Sequence, residues 1–559
     1  MKKNYLLLFV LSLLGMSAKG DDSMPRWAYD LIDRNPELID SIVSYNSNPD
    51  APNTTSYIVY YNQPLQHANP ASEHFHMRVL LTVDNEVDPT TAVNHVYCSG
   101  YNISPEFLYA PNLCFQDNLH SDVAEISHRY RANHFQIEHR YFQYSAIDNC
   151  WENLDFLTAE EAAQDFHNLF EALKTVFKGK WVMSGVSKGG ITTLLQHTFF
   201  PDDMDVYVPY SAPFFDTDRD PNMQRYWQEN GWSKEFRDMF NNVSKRGMYD
   251  YQTIYPIYEK MAGGVSSQAQ RDSFFGYYLS AVGLFGYNEH TYSDTTRIRK
   301  QMRVNDSIMR EKGVAYGDTV YAYMFYKGVF SLDSFPQWID TLRKYRDEPV
   351  IASRKRIRLG SYIPFGVKES EWFGEDSIVG EAYSYQSKCE LGYYDIRFDA
   401  FLDDDASREE WNRNWREKYG CLRDVTAPFF ASRTFSRSLY DRAMAATKNA
   451  TKPIVLIYGL DDSWTGAAVK DEFINGTNVR KFILPAQNHN VCFSYETDPA
   501  QCAAITGILD GVLGSPVGID GIVSSAAKPA SVSRKVLSGG KIFILRGNKK
   551  YTLSGVEVN

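Results

Sequence analysis

Along most of its length the chain alternates short apolar runs rich in β-branched and aromatic residues with segments whose apolar positions recur at helical spacing. Tyr57–Tyr61, Phe75–Val83, Val93–Ser99 and Phe135–Tyr141 predict strands. Ala159–Val176 sets Ala162, Ala163, Phe166, Leu169, Phe170 and Leu173 at the spacing of one helix face. Trp181–Gly185 and Val206–Tyr210 return to strand, with a helix expected over Ile191–Phe199, and Pro453–Gly459 and Lys481–Pro485 supply two late strands. Strands alternating with helices predict an α/β fold on a mainly parallel sheet, with the strands up to Val83 as an antiparallel edge.

From 214 to 425 this pattern stops. The stretch is polar, rich in Tyr and Trp, and carries helix-like segments such as Ser407–Tyr419. Because strands resume afterwards, the simplest organisation is a core at 21–213 and 426–513 interrupted by a large, mainly helical cap at 214–425. Residues 514–533 have linker composition, and 534–559 form a tail with strand-like runs at Lys541–Leu545 and Lys550–Leu553.

The first 20 residues read differently again. Lys2 and Lys3 precede an apolar run from Tyr5 to Leu14, and Ala18 and Gly20 are small residues ahead of Asp21. This is the pattern of a secretory signal peptide, and the run is too short to cross a bilayer as an anchor. The expectation is an exported protein, periplasmic, cell-surface or secreted, with no integral membrane segment.

Composition narrows the classes further. A net charge of −11 disfavours nucleic acid as a partner. The tail from Gly521 onward nevertheless holds seven basic residues against one acidic, so the body is more acidic than the total suggests. Seven cysteines suit a disulfide-permissive compartment, and the Cys98/Cys114 and Cys492/Cys502 loops are short enough to close, although spacing does not fix connectivity. None has C-x-x-C spacing, and alternation along a strand is enough to put His74 and His76 on one face, so no metal site is expected. Asp403–Asp405 reads as a helix cap and solvated face.

The chemistry concentrates in three places. Gly185-Val186-Ser187-Lys188-Gly189 is a G-x-S-x-G between a predicted strand and a predicted helix. A tight strand-to-helix turn lifts the serine into the site and points the helix amides at a developing oxyanion, which makes Ser187 the candidate nucleophile. In the α/β-hydrolase fold the acid and base follow in that order after late strands. Here Ile454–Gly459 runs into Leu460-Asp461-Asp462-Ser463-Trp464, and the last strand opens into Asn488-His489-Asn490. No other histidine follows position 292, so His489 is the candidate base, with Asp462 preferred over Asp461 as the acid. Backbone donors for the oxyanion are expected at Lys188 and near Tyr141. Glu138-His139-Arg140-Tyr141-Phe142 is read either as that donor loop or as a turn fixed by a Glu138–Arg140 ion pair. No metal or cofactor is needed for such chemistry.

These motifs, with Gln136–Phe142, Gly179–Gly190, Pro201–Tyr210 and Tyr458–Trp464, resemble the secreted bacterial tripeptidyl aminopeptidase family, relatives of prolyl carboxypeptidase and dipeptidyl peptidase II. The resemblance spans about Met24 to Leu513. It implies an α/β-hydrolase with a helical cap, inserted between nucleophile and acid, that removes short N-terminal peptides, often beside Pro. It also implies that Asp462 and Trp464 occupy the family's D-P-W motif, with Ser463 replacing its proline. An exopeptidase of this kind takes a peptide with a free N-terminus as its partner, and Glu138 and Trp464 are candidate substrate-binding residues. The tail, Lys535–Tyr551, resembles the C-terminal sorting tails of exported Bacteroidetes-type proteins, which implies secretion machinery or surface attachment. The rival readings are an esterase or lipase on the same scaffold, and a non-catalytic surface binding protein.

Overall fold

In a computed structural model, the residues described are 24–45, 53–103, 107–108, 123–147, 153–230, 234, 307, 310–313, 379–394, 404–411, 413, 433–516 and the tail strands at 534–538, 541–546, 549–551 and 557–558. The chain divides into two compact units, Met1–Ser515 and Pro516–Asn559. The expected leader falls outside the described residues, as does most of the expected cap.

The first unit is built on a nine-stranded sheet: β1 (Ile39–Tyr45), β2 (Thr54–Pro64), β3 (His74–Asp84), β4 (Asn94–Cys98), β5 (Asn133–Ile137), β6 (Trp181–Val186), β7 (Val206–Tyr210), β8 (Ile454–Gly459) and β9 (Val479–Leu484). Their spatial order is β1-β2-β3-β5-β4-β6-β7-β8-β9. The first three strands pair antiparallel and β3 meets β5 antiparallel, after which every pairing is parallel. This is the α/β-hydrolase arrangement. The antiparallel edge expected up to Val83 is present, with β1 as an extra strand whose sequence gives little sign of it. Only Ile39 and Ile42 of its seven residues are buried.

Parallel strands must be covered on both faces. Alternate residues of β6 to β8 accordingly enter two separate cores. Trp181, Met183, Tyr207, Leu456 and Tyr458 face α1 (Arg26–Arg34), α3 (Ala159–Lys174), α4 (Lys188–Phe199) and α8 (Ser438–Lys448). Val182, Val206, Val208, Val455 and Ile457 face α2 (Glu125–Tyr130) and α9 (Pro499–Leu513). Between these pairs of helices along the chain lie α5 (Asn222–Glu229), α6 (Val379–Gln386) and α7 (Asp405–Trp411). Helix α3 starts where Thr158 accepts the Glu161 amide, and Asp498 caps α9 by accepting from Ala500 and Gln501. Asp404 caps α7 through the Ser407 amide, as its sequence suggests.

Strands β7 and β8 are sheet neighbours although some 240 residues separate them, so the stretch between them is an insertion into the sheet. Of it the structure describes Phe214–Asn230, 379–394 and a few residues beyond. These are anchored at the carboxyl end of the sheet: Phe214 N–H donates to Ala467 O at 2.7 Å and Asp220 N–H to Tyr393 O at 2.9 Å. Phe215, Met223, Tyr393 and Tyr394 pack around Trp464 and Ala467. Cys98, Cys389 and Cys502 are free thiols, so neither short cysteine loop is bridged. Among the described residues no helix is long and apolar enough to cross a membrane.

The second unit is a four-stranded antiparallel sheet, β10 (Arg534–Ser538), β11 (Lys541–Arg546), β12 (Lys549–Tyr551) and β13 (Glu557–Val558).

Candidate active site

Ser187 sits between β6 and α4 with φ 59° and ψ −120°. That is a left-handed backbone for a residue with a side chain, and it is held from both sides. The Ser187 amide donates to Tyr210 O at 3.0 Å, and Ser187 O accepts the Ile191 amide at 2.9 Å. Such strain persists only where the surroundings over-determine it. The close approach needs glycine: a Cβ on Gly189 would lie 1.9 Å from Cys98 O. The turn thus presses α4 against the end of β4, and Ser187 itself stays partly exposed.

The other two candidates arrive on the same edge. Asp462 follows β8 in a turn that starts with Asp462 N–H to Gly459 O at 3.3 Å. Its side chain is fully buried, and Oδ1 accepts the Trp464 amide at 3.0 Å. Oδ2 lies 3.0 Å from His489 Nδ1. His489 follows β9 in a loop held on the β8 turn by Asp461 N–H to Gln487 O at 2.8 Å. Asp461 contributes its backbone there, whereas Asp462 faces the imidazole. With Nδ1 directed at a carboxylate, Nε2 is the nitrogen left to exchange a proton with substrate or nucleophile. Ser187, Asp462 and His489 therefore lie at the carboxyl ends of β6, β8 and β9, where β7 is the one strand between β6 and β8.

Trp464 is 5 % exposed. Its ring lies 5.9 Å from that of His489 and meets Tyr394 edge-on at 5.2 Å. It packs the base against the inserted segment, a different placement from an open substrate wall.

Glu138 and Tyr141 are placed elsewhere than the sequence suggests. Glu138 is fully buried and takes two bonds from Arg78, at 3.1 and 2.9 Å. It also accepts from the Ile103 amide and from the Ser145 amide and hydroxyl. Burial still raises its pKa, against the pull of Arg78. With its acceptor sites filled and no exposure, it is not a docking group for a substrate amine. The expected Glu138–Arg140 pair is also replaced: Arg140 is clamped by Asp165 at 2.6 and 2.8 Å. The Tyr141 amide donates to Ser145 O at 2.9 Å and its hydroxyl to Asn153 O, so the amide is spent inside its own turn. The reason is strand order. The turn follows β5, which is one strand removed from β6, while β4 is the direct neighbour.

The loop beside the elbow is therefore Ser99–Asn102, which leaves β4. Gly100, at φ 81°, passes so close that a Cβ there would sit 2.8 Å from the Lys188 carbonyl carbon. Sequence reading missed this loop; its signal is the Ser99-Gly100 pair directly after a strand. Lys188 opens α4, where the first amides have no intrahelical acceptor. His74 and His76 bond to Pro70 O and Asp40 on an exposed strand face.

Comparison with known proteins bears on the first half of the chain. The profile of the PS-10 peptidase S37 family matches residues 38–267, which include Ser187 but neither Asp462 nor His489. A prolyl tri/tetrapeptidyl aminopeptidase of Streptomyces mobaraensis is 29% identical over 206 residues, 37% of this chain and 39% of that one. The chain thus spans about two fifths of that relative's length in the match. Both findings support the resemblance to the tripeptidyl aminopeptidase group of serine peptidases. Among solved structures, a proline iminopeptidase of Mycobacterium smegmatis aligns at 10% identity and TM-score 0.30, over 78% of this chain and 95% of its own. A peroxisomal alpha-beta-hydrolase of Saccharomyces cerevisiae aligns at 10% identity and TM-score 0.29, over 87% and 94%. The fold assignment rests on the strand order and not on these alignments.

Proposed function

We propose that this chain is an exported serine exopeptidase that releases short peptides from free N-termini through an acyl-enzyme on Ser187. The observation that carries the reading is the Asp462–His489 bond of 3.0 Å at the sheet edge that also holds the strained Ser187. In this mechanism His489 takes the Ser187 proton as the hydroxyl attacks the carbonyl carbon, and returns it to the departing amine. Asp462 keeps Nδ1 protonated and offsets the imidazolium charge. The Lys188 amide and the Ser99–Asn102 loop face the oxyanion, and water then releases the acyl group.

The aminopeptidase assignment draws on the matched Streptomyces protein, and the cap at 214–425 would confine the site to chain ends and short peptides. A buried and saturated Glu138 means that the substrate amine is met by another group. Export follows from the leader-like residues 1–20, and residues 534–559 would serve as a sorting label read by secretion or surface-attachment machinery.

Fluorophosphonate labelling, with Ser187→Ala as control, tests the nucleophile; equal labelling of the two proteins overturns it. A panel of peptide amides with free and blocked N-termini, set beside p-nitrophenyl esters, tests the rest. Cleavage restricted to free-amine peptides supports the exopeptidase, and turnover of esters alone would assign an esterase.

A further inference from the structure

The residue after the nucleophile has a side chain as well as an amide, and that side chain is buried. Lys188 is 1 % exposed. Its Nζ donates to Gly100 O, the carbonyl in the middle of the Ser99–Asn102 loop. Three rings surround the ammonium: Phe142 at 5.1 Å, Tyr101 at 5.2 Å and Tyr383 at 6.0 Å from their centroids. Tyr101 also meets Phe142 and Tyr383 edge-on, at 5.4 and 5.5 Å. These walls have three origins: Tyr101 on the loop itself, Phe142 on the turn after β5, and Tyr383 on α6 of the insertion.

The titratable groups facing this cage come from every side. Burial pushes the Cys98 thiol at the end of β4 up to about 11, so it is uncharged. Burial holds the His139 imidazole well below its usual value, so it is neutral too. Glu390, after α6, is raised to about 7 by burial, although the Ala159 amide bonds it at 2.8 Å and Lys188 pulls the other way. Burial raises the Tyr383 hydroxyl as well. Glu390 is the carboxyl group that faces Lys188, and burial lowers the Lys188 ammonium to about 7. A buried cation held by one carbonyl and three rings is costly unless its charge is used. A Met or Leu would fill the same space without that cost.

We infer that the Lys188 side chain is a positioning residue, whose ammonium fixes the Gly100 carbonyl and so the course of the Ser99–Asn102 loop against the elbow, with Tyr383 of the insertion closing the cage. The inference rests on the proposed serine-hydrolase reading. It makes the insertion part of the catalytic apparatus, because the wall it supplies helps keep the ammonium charged. Loss of the proton loosens the loop, so turnover falls as pH rises through the Lys188 pKa.

The experiment compares kcat, KM and their pH dependence in the full-length wild type, Lys188→Met and Lys188→Arg, after fluorophosphonate labelling of the wild type. Lys188→Met is expected to lower kcat about 10²- to 10³-fold, the cost of a lost oxyanion contact, with KM within about threefold. Its alkaline limb disappears. Lys188→Arg keeps the charge at all working pH, recovers part of kcat and moves the alkaline limb out of range. Wild-type kcat in Lys188→Met, or an unmoved alkaline limb in Lys188→Arg, overturns the inference. Should Lys188→Met fail to fold, Tyr383→Leu decides: the alkaline limb moves down by about half a unit to one unit, and an unchanged profile overturns the role. A wild type that does not label would instead overturn the serine-hydrolase reading beneath it.

Discussion

Two strand-end turns in this molecule each bury a carboxylate completely, and they use it in opposite ways. After β5, Glu138 accepts from Arg78 twice, from two backbone amides and from a serine hydroxyl. After β8, Asp462 accepts one amide on Oδ1 and presents Oδ2 to His489. The first is saturated by fixed scaffold groups. The second turns one oxygen to the imidazole of the candidate base. Burial therefore does not separate a structural carboxylate from a candidate catalytic one; the partner does.

The comparison breaks most visibly at Asp462. Asp462→Asn removes the acceptor that fixes the imidazole tautomer, and kcat should fall about 10⁴-fold with little change in thermal unfolding. Glu138→Gln removes the buried carboxylate that takes two bonds from Arg78. It should cost about 3–5 kcal/mol in denaturant unfolding while kcat per folded molecule stays near wild type. A catalytic defect exceeding the stability defect there would erase the contrast.

A third buried carboxyl sharpens it with pH. Glu125 of α2 accepts from Tyr210 OH and from the Ser494 and Phe493 amides, yet burial raises it to about 8. The folded protein holds this proton between the ordinary carboxyl pKa and about 8, whereas the unfolded chain releases it. Its contribution to stability is therefore complete below about 4.5 and lost as pH rises through about 8. Glu125→Gln should flatten that decline in a series of unfolding curves; an identical slope in the variant would contradict the shift. The smallest effect belongs to Asp461→Asn, next to the acid but held through its backbone, which should leave kcat within about threefold.

Much of this was legible because it is local. The elbow needs small residues around Ser187, and the strand and helix on either side are visible in apolar spacing. The scarcity of late histidines singled out His489. What failed depends on strand order, which no local pattern carries. Tyr141 follows a strand upstream of the nucleophile, as a donor loop should, but β4 and β5 exchange places in the sheet and β4 takes the seat beside β6. The alternative of a Glu138–Arg140 pair fails for a related reason: two apart in sequence, they point to Arg78 and Asp165, at 60 and 25 residues' distance. Strand β1 escaped because an edge strand with two buried side chains needs no strong alternation.

The insertion between β7 and β8 also has a consequence in time. The proposed nucleophile and its helix precede it, while the proposed acid and base come after it, about 300 residues beyond Ser187. At roughly 5–20 residues per second, a ribosome takes on the order of 15–60 s to travel from one to the other. Throughout that interval the emerging chain holds Ser187 without Asp462 or His489. On the proposed reading, the triad is complete only once the last strands of the sheet have been made.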